Sequence, residues 1–244
     1  IIVMKTNNFL LSAAAVFITT TGCANDNPAN TNRAEGDTSK LPPVETKKAN
    51  TNYKPAFAGQ TRIAAVKTTT PYQVDKISEK LGRPWAVVPM QDGRLLITEK
   101  SGYMMILDAS GKLVKKITGF PAVDDRGQGG MLDVAFDPDF KKNKTIYWSY
   151  SEKYGEGNLM AVAKGQLNEA AGKVDNPVVI FRATPALKST LHYGSRLVFD
   201  KDGNLFVSTG ERSILEGRVQ AQDLSSGLGK IFKITRDGKP APGN

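Results

Sequence analysis

Two side-chain types able to do chemistry near neutral pH occur once each in this 244-residue sequence: one histidine, His192, and one cysteine, Cys23. A single histidine excludes a multi-histidine zinc or copper centre within the chain, and a single cysteine excludes an intramolecular disulfide. Any imidazole chemistry must pass through His192, in Leu191-His192-Tyr193-Gly194-Ser195-Arg196-Leu197. Glu211 follows 19 residues later, in Ser208-Thr209-Gly210-Glu211. If the segments between are antiparallel strands joined by a tight turn, their far ends meet, and His192 and Glu211 become neighbours at one rim. A carboxylate beside an imidazole fixes its tautomer and raises its basicity, as a general base requires. The alternative is a turn histidine with no chemical role. Gln128, in Arg126-Gly127-Gln128-Gly129-Gly130, offers a donor and an acceptor between glycines that permit close backbone approach. The plain alternative there is a tight turn.

Other signatures fail. Asp200, Asp202, Asn204 and Glu211 fall at calcium-loop positions of an EF-hand, but Leu205 stands where glycine is required and the flanks read as strands. Gly227-Leu228-Gly229-Lys230 is not a phosphate loop, since Leu224 replaces its first glycine and Ile231 its Ser/Thr. Neither a Gly-x-Ser-x-Gly elbow nor a Rossmann fingerprint is present. The net charge of +9, from 33 Lys+Arg against 24 Asp+Glu, is spread along the chain and mixed with acids. Its one short cluster, Lys112-Leu113-Val114-Lys115-Lys116, reads as strand and turn. A solvated surface accounts for that better than a nucleic-acid footprint, which needs a concentrated patch.

The elements that must position these residues begin after Tyr72. Val87 to Thr98 and Leu197 to Ser208 each read as strand, Asp-Gly turn, strand, because Asp-Gly suits the left-handed angles of a tight hairpin. Val134 to Tyr150 is the same hairpin with a longer loop, Lys141 to Lys144. Gly93 to Gly203 spans 110 residues with one further unit between them, about 55 per unit. Each unit holds a second strand pair: Tyr103 to Leu107 with Leu113 to Thr118, and Leu159 to Gln166 with Val178 to Arg182. Four short strands per repeat is the signature of a β-propeller blade, with a β-sandwich as the lesser alternative. No amphipathic helix longer than about two turns is expected.

The N-terminus has the parts of an export signal: Lys5, an apolar run from Phe9 to Ile18, then Gly22-Cys23. About ten apolar residues cannot span a bilayer. Small residues before the lone cysteine match a bacterial lipobox, although Thr20 stands where leucine is usual. Residues 1–23 are therefore expected to be a lipoprotein-type signal with Cys23 as the lipidation site, the alternative being an ordinary secretory leader. Residues 24–70, rich in Asn, Thr, Pro, Lys and Ala, read as a disordered tether. Residues 71–244 form the folded part, in an exported, periplasmic or outer-membrane-anchored protein that meets the membrane through its lipid alone.

Taken together, three segments resemble the soluble PQQ-dependent aldose sugar dehydrogenases (the glucose/sorbosone dehydrogenase family). Arg126 to Phe140 is similar to the family's "RGQ.GLL..AF.PDF" segment, His192 to Gly203 to its "H..GRL....DG" segment, and Ala221 to Ile231 to its "AQDL.S..GK.LRI" segment. The resemblance implies an all-β, six-bladed β-propeller, with about three blades in this chain, that oxidises the anomeric hydroxyl of an aldose to a lactone. It places His192 as the general base, Glu211 as its acidic support and Gln128 on the PQQ and substrate pocket. It implies PQQ and Ca²⁺ as cofactors and an external electron acceptor. Leu191 stands where glucose-specialised members often carry Asp, which removes one polar sugar contact. The family's Arg-Asn-Pro segment, Gly-Pro calcium ligands and carboxylate-clamping cations lie further C-terminal. The chain is accordingly expected to be the N-terminal half of a longer one and to be inactive alone. A non-catalytic glycan- or protein-binding propeller and a sorbosone-type dehydrogenase stay open as alternatives.

Overall fold

The computed structural model describes residues 2–5, 41–57, 60 and 64–244. These divide into a unit over Val3–Asp75 and a unit over Lys76–Asn244 that also takes in Ile2. In the first, β1 (Ile2–Lys5) pairs with β2 (Gln73–Lys76), and Pro43 and Ala64 form an isolated bridge. The apolar run Phe9 to Ile18, Cys23 and residues 24–40 of the expected tether lie outside the described residues. Among the described residues no helix is long and apolar enough to cross a membrane.

The second unit is three successive antiparallel sheets, each a meander laid down in chain order. The first holds β3 (Pro84–Pro89), β4 (Leu95–Glu99), β5 (Tyr103–Leu107) and β6 (Leu113–Ile117). The second holds β7 (Met131–Phe136), β8 (Thr145–Tyr154), β9 (Gly157–Asn168) and β10 (Lys173–Arg182), and the third holds β11 (Gly194–Phe199), β12 (Leu205–Thr209) and β13 (Ile231–Ile234). These are blades of a β-propeller, with the strand pairs where the repeat predicts them. Among the described residues the α-helices are single turns, α1 (Phe140–Asn143) and α2 (Leu215–Arg218), the latter running on into a 3-10 turn over Val219–Gln222. The first fills the long loop of the middle hairpin and ends on Lys144 at φ 55°.

Side-chain alternation builds the stack. Trp148, Tyr150 and Leu159 of the middle sheet pack with Leu96, Met104 and Ile106 of the first. Their strand neighbours Tyr147, Met160 and Val162 pack with Leu197, Leu205 and Val207 of the third. With a period of two, a strand buried on both faces reads as the continuous apolar run Ile146-Tyr147-Trp148.

The Asp-Gly turns are three-residue loops rather than two-residue ones. In Asp200 to Asn204 the N–H of Asp200 donates to Asn204 O at 2.9 Å, and that of Gly203 to Asp200 O at 3.2 Å. Gly203 alone takes the left-handed angle, φ 79°, the type I turn plus glycine-bulge geometry. Asp108 to Lys112 and Thr235 to Lys239 repeat this pattern. In each, the first side chain accepts the N–H groups two and four residues on.

A second repeat is set into the innermost strands. Each pairing with its neighbour slips once, between Pro84 and Val87, Met131 and Val134, and Gly194 and Leu197. At the slip a hydroxyl replaces the lost ladder bond: Thr98, Ser149 and Ser208 accept the N–H of Ala86, Asp133 and Arg196 at 2.9, 3.0 and 3.0 Å. Thr98 then donates to Leu132 O at 2.6 Å and Ser149 to Ser195 O at 2.8 Å, each a carbonyl on the next sheet's innermost strand. The buried Asp133 reinforces the second junction by accepting from Leu197 N and Arg196 Nη1, both at 2.8 Å. Burial pushes its carboxyl above the ordinary range despite these two donors.

Candidate active site

The β11–β12 hairpin performs the convergence expected of it. Its last paired residues are Gly194 and Thr209. Past them Gly210 N–H donates to Tyr193 O at 2.9 Å and Arg212 N–H to His192 O at 3.1 Å. This extension sets the two side chains beside each other: His192 Nδ1 lies 2.6 Å from Glu211 Oε1. Gln128 arrives from the preceding sheet, on the loop leading into β7. Its backbone N–H donates to Thr190 O at 2.8 Å, and its Oε1 accepts the His192 N–H at 2.7 Å. Gly127 makes this approach possible, since at φ 54° a Cβ there would sit 2.6 Å from Thr190 O. The structure thus brings His192, Glu211 and Gln128 into one cluster, whereas Cys23 lies outside the described residues.

The electrostatics assign the protons. Desolvation opposes ionisation of Glu211, but the His192 contact and the Ser213 N–H, 2.8 Å from Oε2, outweigh it and hold the carboxyl below the ordinary glutamate range. An ionised carboxylate only accepts, so Nδ1 of a neutral His192 must carry the hydrogen and Nε2 the lone pair. Among the described residues nothing bonds Nε2, and the side chain is 55 % exposed. Likewise, a backbone N–H can only donate, so the Gln128 oxygen faces the His192 backbone, and among the described residues its NH₂ has no partner.

The surrounding rim is cationic. Lys100 Nζ donates to Gly127 O at 2.5 Å, and Arg218 Nε stands 3.8 Å from Glu211 Oε2. Arg126 grips Asp124 through Nε at 2.7 Å and Nη2 at 2.6 Å, and this holds the Asp124 carboxyl below its usual range. Among the described residues no group of three or more His, Cys, Asp or Glu is placed to hold a metal ion. Arg212, next to Glu211, is buried beneath the cluster. Nothing in the sequence separates it from the chain's other basic residues, most of which read as solvated.

Residues 81–244 match the sequence profile of the Glucose / Sorbosone dehydrogenase family. The chain belongs to that family. The aldose sugar dehydrogenase YliI of Escherichia coli is 38 % identical over 168 residues, which cover 68 % of this chain and 44 % of the relative. A crystal structure of the soluble aldose sugar dehydrogenase from Escherichia coli in its apo form superposes with a TM-score of 0.65 at 37 % identity, over 70 % of this chain and 49 % of the other. The PQQ-bound aldose sugar dehydrogenase of Streptomyces coelicolor gives 0.60 at 28 % identity, over 70 % and 49 %. This family member therefore spans about half the length of the relatives it matches.

Proposed function

We propose that this chain carries the proton-abstracting rim of a PQQ-dependent aldose sugar dehydrogenase. The observation that carries the reading is the 2.6 Å contact of His192 Nδ1 with Glu211, which leaves Nε2 without a partner among the described residues at an exposed rim. The donor set fits a planar quinone bearing carboxylates. The free NH₂ of Gln128 and the cations Lys100, Arg126 and Arg218 are the groups here that would hold it. Bound PQQ supplies an oxidant for the hydride at the anomeric carbon, which leaves the sugar as a lactone. His192 Nε2 takes the proton of the anomeric hydroxyl. Glu211, ionised opposite Nδ1–H, keeps the ring in the competent tautomer and stabilises the imidazolium as it forms. Gln128 fixes the backbone of His192 with its oxygen and turns its NH₂ toward the reactants. The exposed ring then returns its proton to solvent. Leu191, 41 % exposed beside His192, offers no polar contact, which favours a broad aldose preference over strict glucose selectivity. Calcium, an external electron acceptor, export and lipidation at Cys23 with residues 24–70 as tether complete the reading.

The test is sugar-dependent dye reduction by the full-length protein after addition of PQQ and Ca²⁺. His192→Ala is expected to lower kcat by about 10²–10⁴-fold while PQQ binding, followed by absorbance titration, is retained. Normal turnover in the variant would show that the base lies elsewhere.

A further inference from the structure

Arg212 is 1 % exposed, yet among the described residues no carboxylate touches it. Asp124 is the carboxylate whose charge acts on it, and it is reached only through Asn158. A guanidinium taken out of water without a carboxylate in contact is costly, and an apolar side chain of similar volume would avoid that penalty. Burial indeed pulls its pKa below the ordinary arginine value. What the charge accomplishes is visible in where its donors go. Nε donates to Leu191 O at 3.1 Å and Nη2 to Ser189 O, so the fork holds the two carbonyls on the approach to His192. Nη1 and Nη2 also donate to the backbone and side-chain oxygens of Asn158, at 2.9 and 2.5 Å, which anchors the fork on β9 of the neighbouring sheet. The guanidinium lies over the Tyr193 ring at 4.0 Å. The grip is returned, because Ser189 Oγ donates to Arg212 O at 2.5 Å while Arg212 N–H holds His192 O.

The backbone of the pair needs such a hold. His192, Arg212 and Ser213 all take left-handed angles, φ 46°, 68° and 59°. Such an angle is unfavourable for a non-glycine residue and persists only where the surroundings over-determine it. The imidazole thus sits on strained backbone, the carboxylate of Glu211 immediately precedes the strained Arg212–Ser213 pair, and the two segments meet at one buried side chain.

We propose that Arg212 is the positioning residue of the His192–Glu211 pair, its guanidinium bracing the Ser189–Leu191 backbone so that the imidazole meets the carboxylate through Nδ1. The proposal rests on the reading of His192 as the base. Because the chain has a single histidine, side-chain ¹⁵N NMR reports on this contact with no assignment problem and without any turnover. In the wild-type chain the neutral ring is expected as the Nδ1–H tautomer, with a strongly downfield, exchange-protected proton. Arg212→Met removes the fork and should abolish that signal and tautomer preference. Arg212→Lys, which keeps the charge and reaches a carbonyl, should restore part of both. In sugar oxidation by the full-length protein, Arg212→Met should lower kcat on the order of 100-fold with KM little changed. Should Arg212→Met not fold, Ser189→Ala, which deletes one hydroxyl of the same brace, is expected to weaken the Nδ1 proton's protection. An unchanged Nδ1–H signal in folded Arg212→Met, or in Ser189→Ala, would overturn the proposal. The NMR signal tests the brace and wild-type turnover tests the dehydrogenase reading, so each can fail without the other.

Discussion

Glu211 has both carboxylate oxygens committed, one to an imidazole nitrogen and one to the Ser213 N–H. Replacing it with Gln preserves the size but introduces an NH₂ able to donate to Nδ1, which would move the ring hydrogen to Nε2 and block the basic lone pair. Glu211→Gln is therefore expected to reduce kcat on the order of 10²–10⁴-fold, with sugar affinity largely kept. Stability gives an independent reading. The folded-state pKa of Glu211 is depressed, so its contribution is present above the ordinary glutamate value and is lost as pH falls through the depressed one. A denaturation series from pH 7 to pH 3 should show a smaller acid loss in Glu211→Gln than in wild type; equal losses would contradict the assignment. At this scale the sequence showed the pairing, because 19 residues across a hairpin put His192 and Glu211 at the same end. It did not show Arg212, whose role depends on a burial that only the three-dimensional arrangement of Asn158, Ser189 and Tyr193 creates. Nor did it show the left-handed angle at His192, a conformation imposed by contacts and not by residue type.

Among the elements, the hairpins were legible because Asp-Gly and alternating apolar residues are local signals. The slips in the innermost strands were not. Thr98, Ser149 and Ser208 look like ordinary strand hydroxyls, and only the sheet-to-sheet register reveals that each repairs a broken ladder. Removing Thr98 or Ser149 leaves a buried N–H without its acceptor and a carbonyl of the next sheet without its donor. Ser149→Ala and Thr98→Val are each expected to cost about 1–3 kcal/mol in urea unfolding. Ser208 only accepts among the described residues, so Ser208→Ala should cost less; a loss as large as that of Ser149→Ala would count against the two-sided role.

For the whole molecule, the three sheets occupy the region that matches the family, and the chain spans about half of its relatives. The third sheet turns Val198, Phe206 and Ile231 outward, 54 %, 37 % and 74 % exposed, on the face opposite the one packed against the middle sheet. The membrane expectation belongs here as well. Cys23→Ser should shift the protein from the membrane to the soluble fraction and abolish incorporation of labelled fatty acid in cells; membrane retention without label would mean another means of attachment. The hydroxyl latches carry a consequence for how such a body comes apart. Thr98 couples the first sheet to the second, and Ser149 couples the second to the third. Among the described residues no latch skips a sheet, so cooperativity is passed from neighbour to neighbour and is only as strong as its weakest junction. Cutting the second latch should split a single melting transition into two, with amides of β11–β13 exchanging ahead of those in β3–β6.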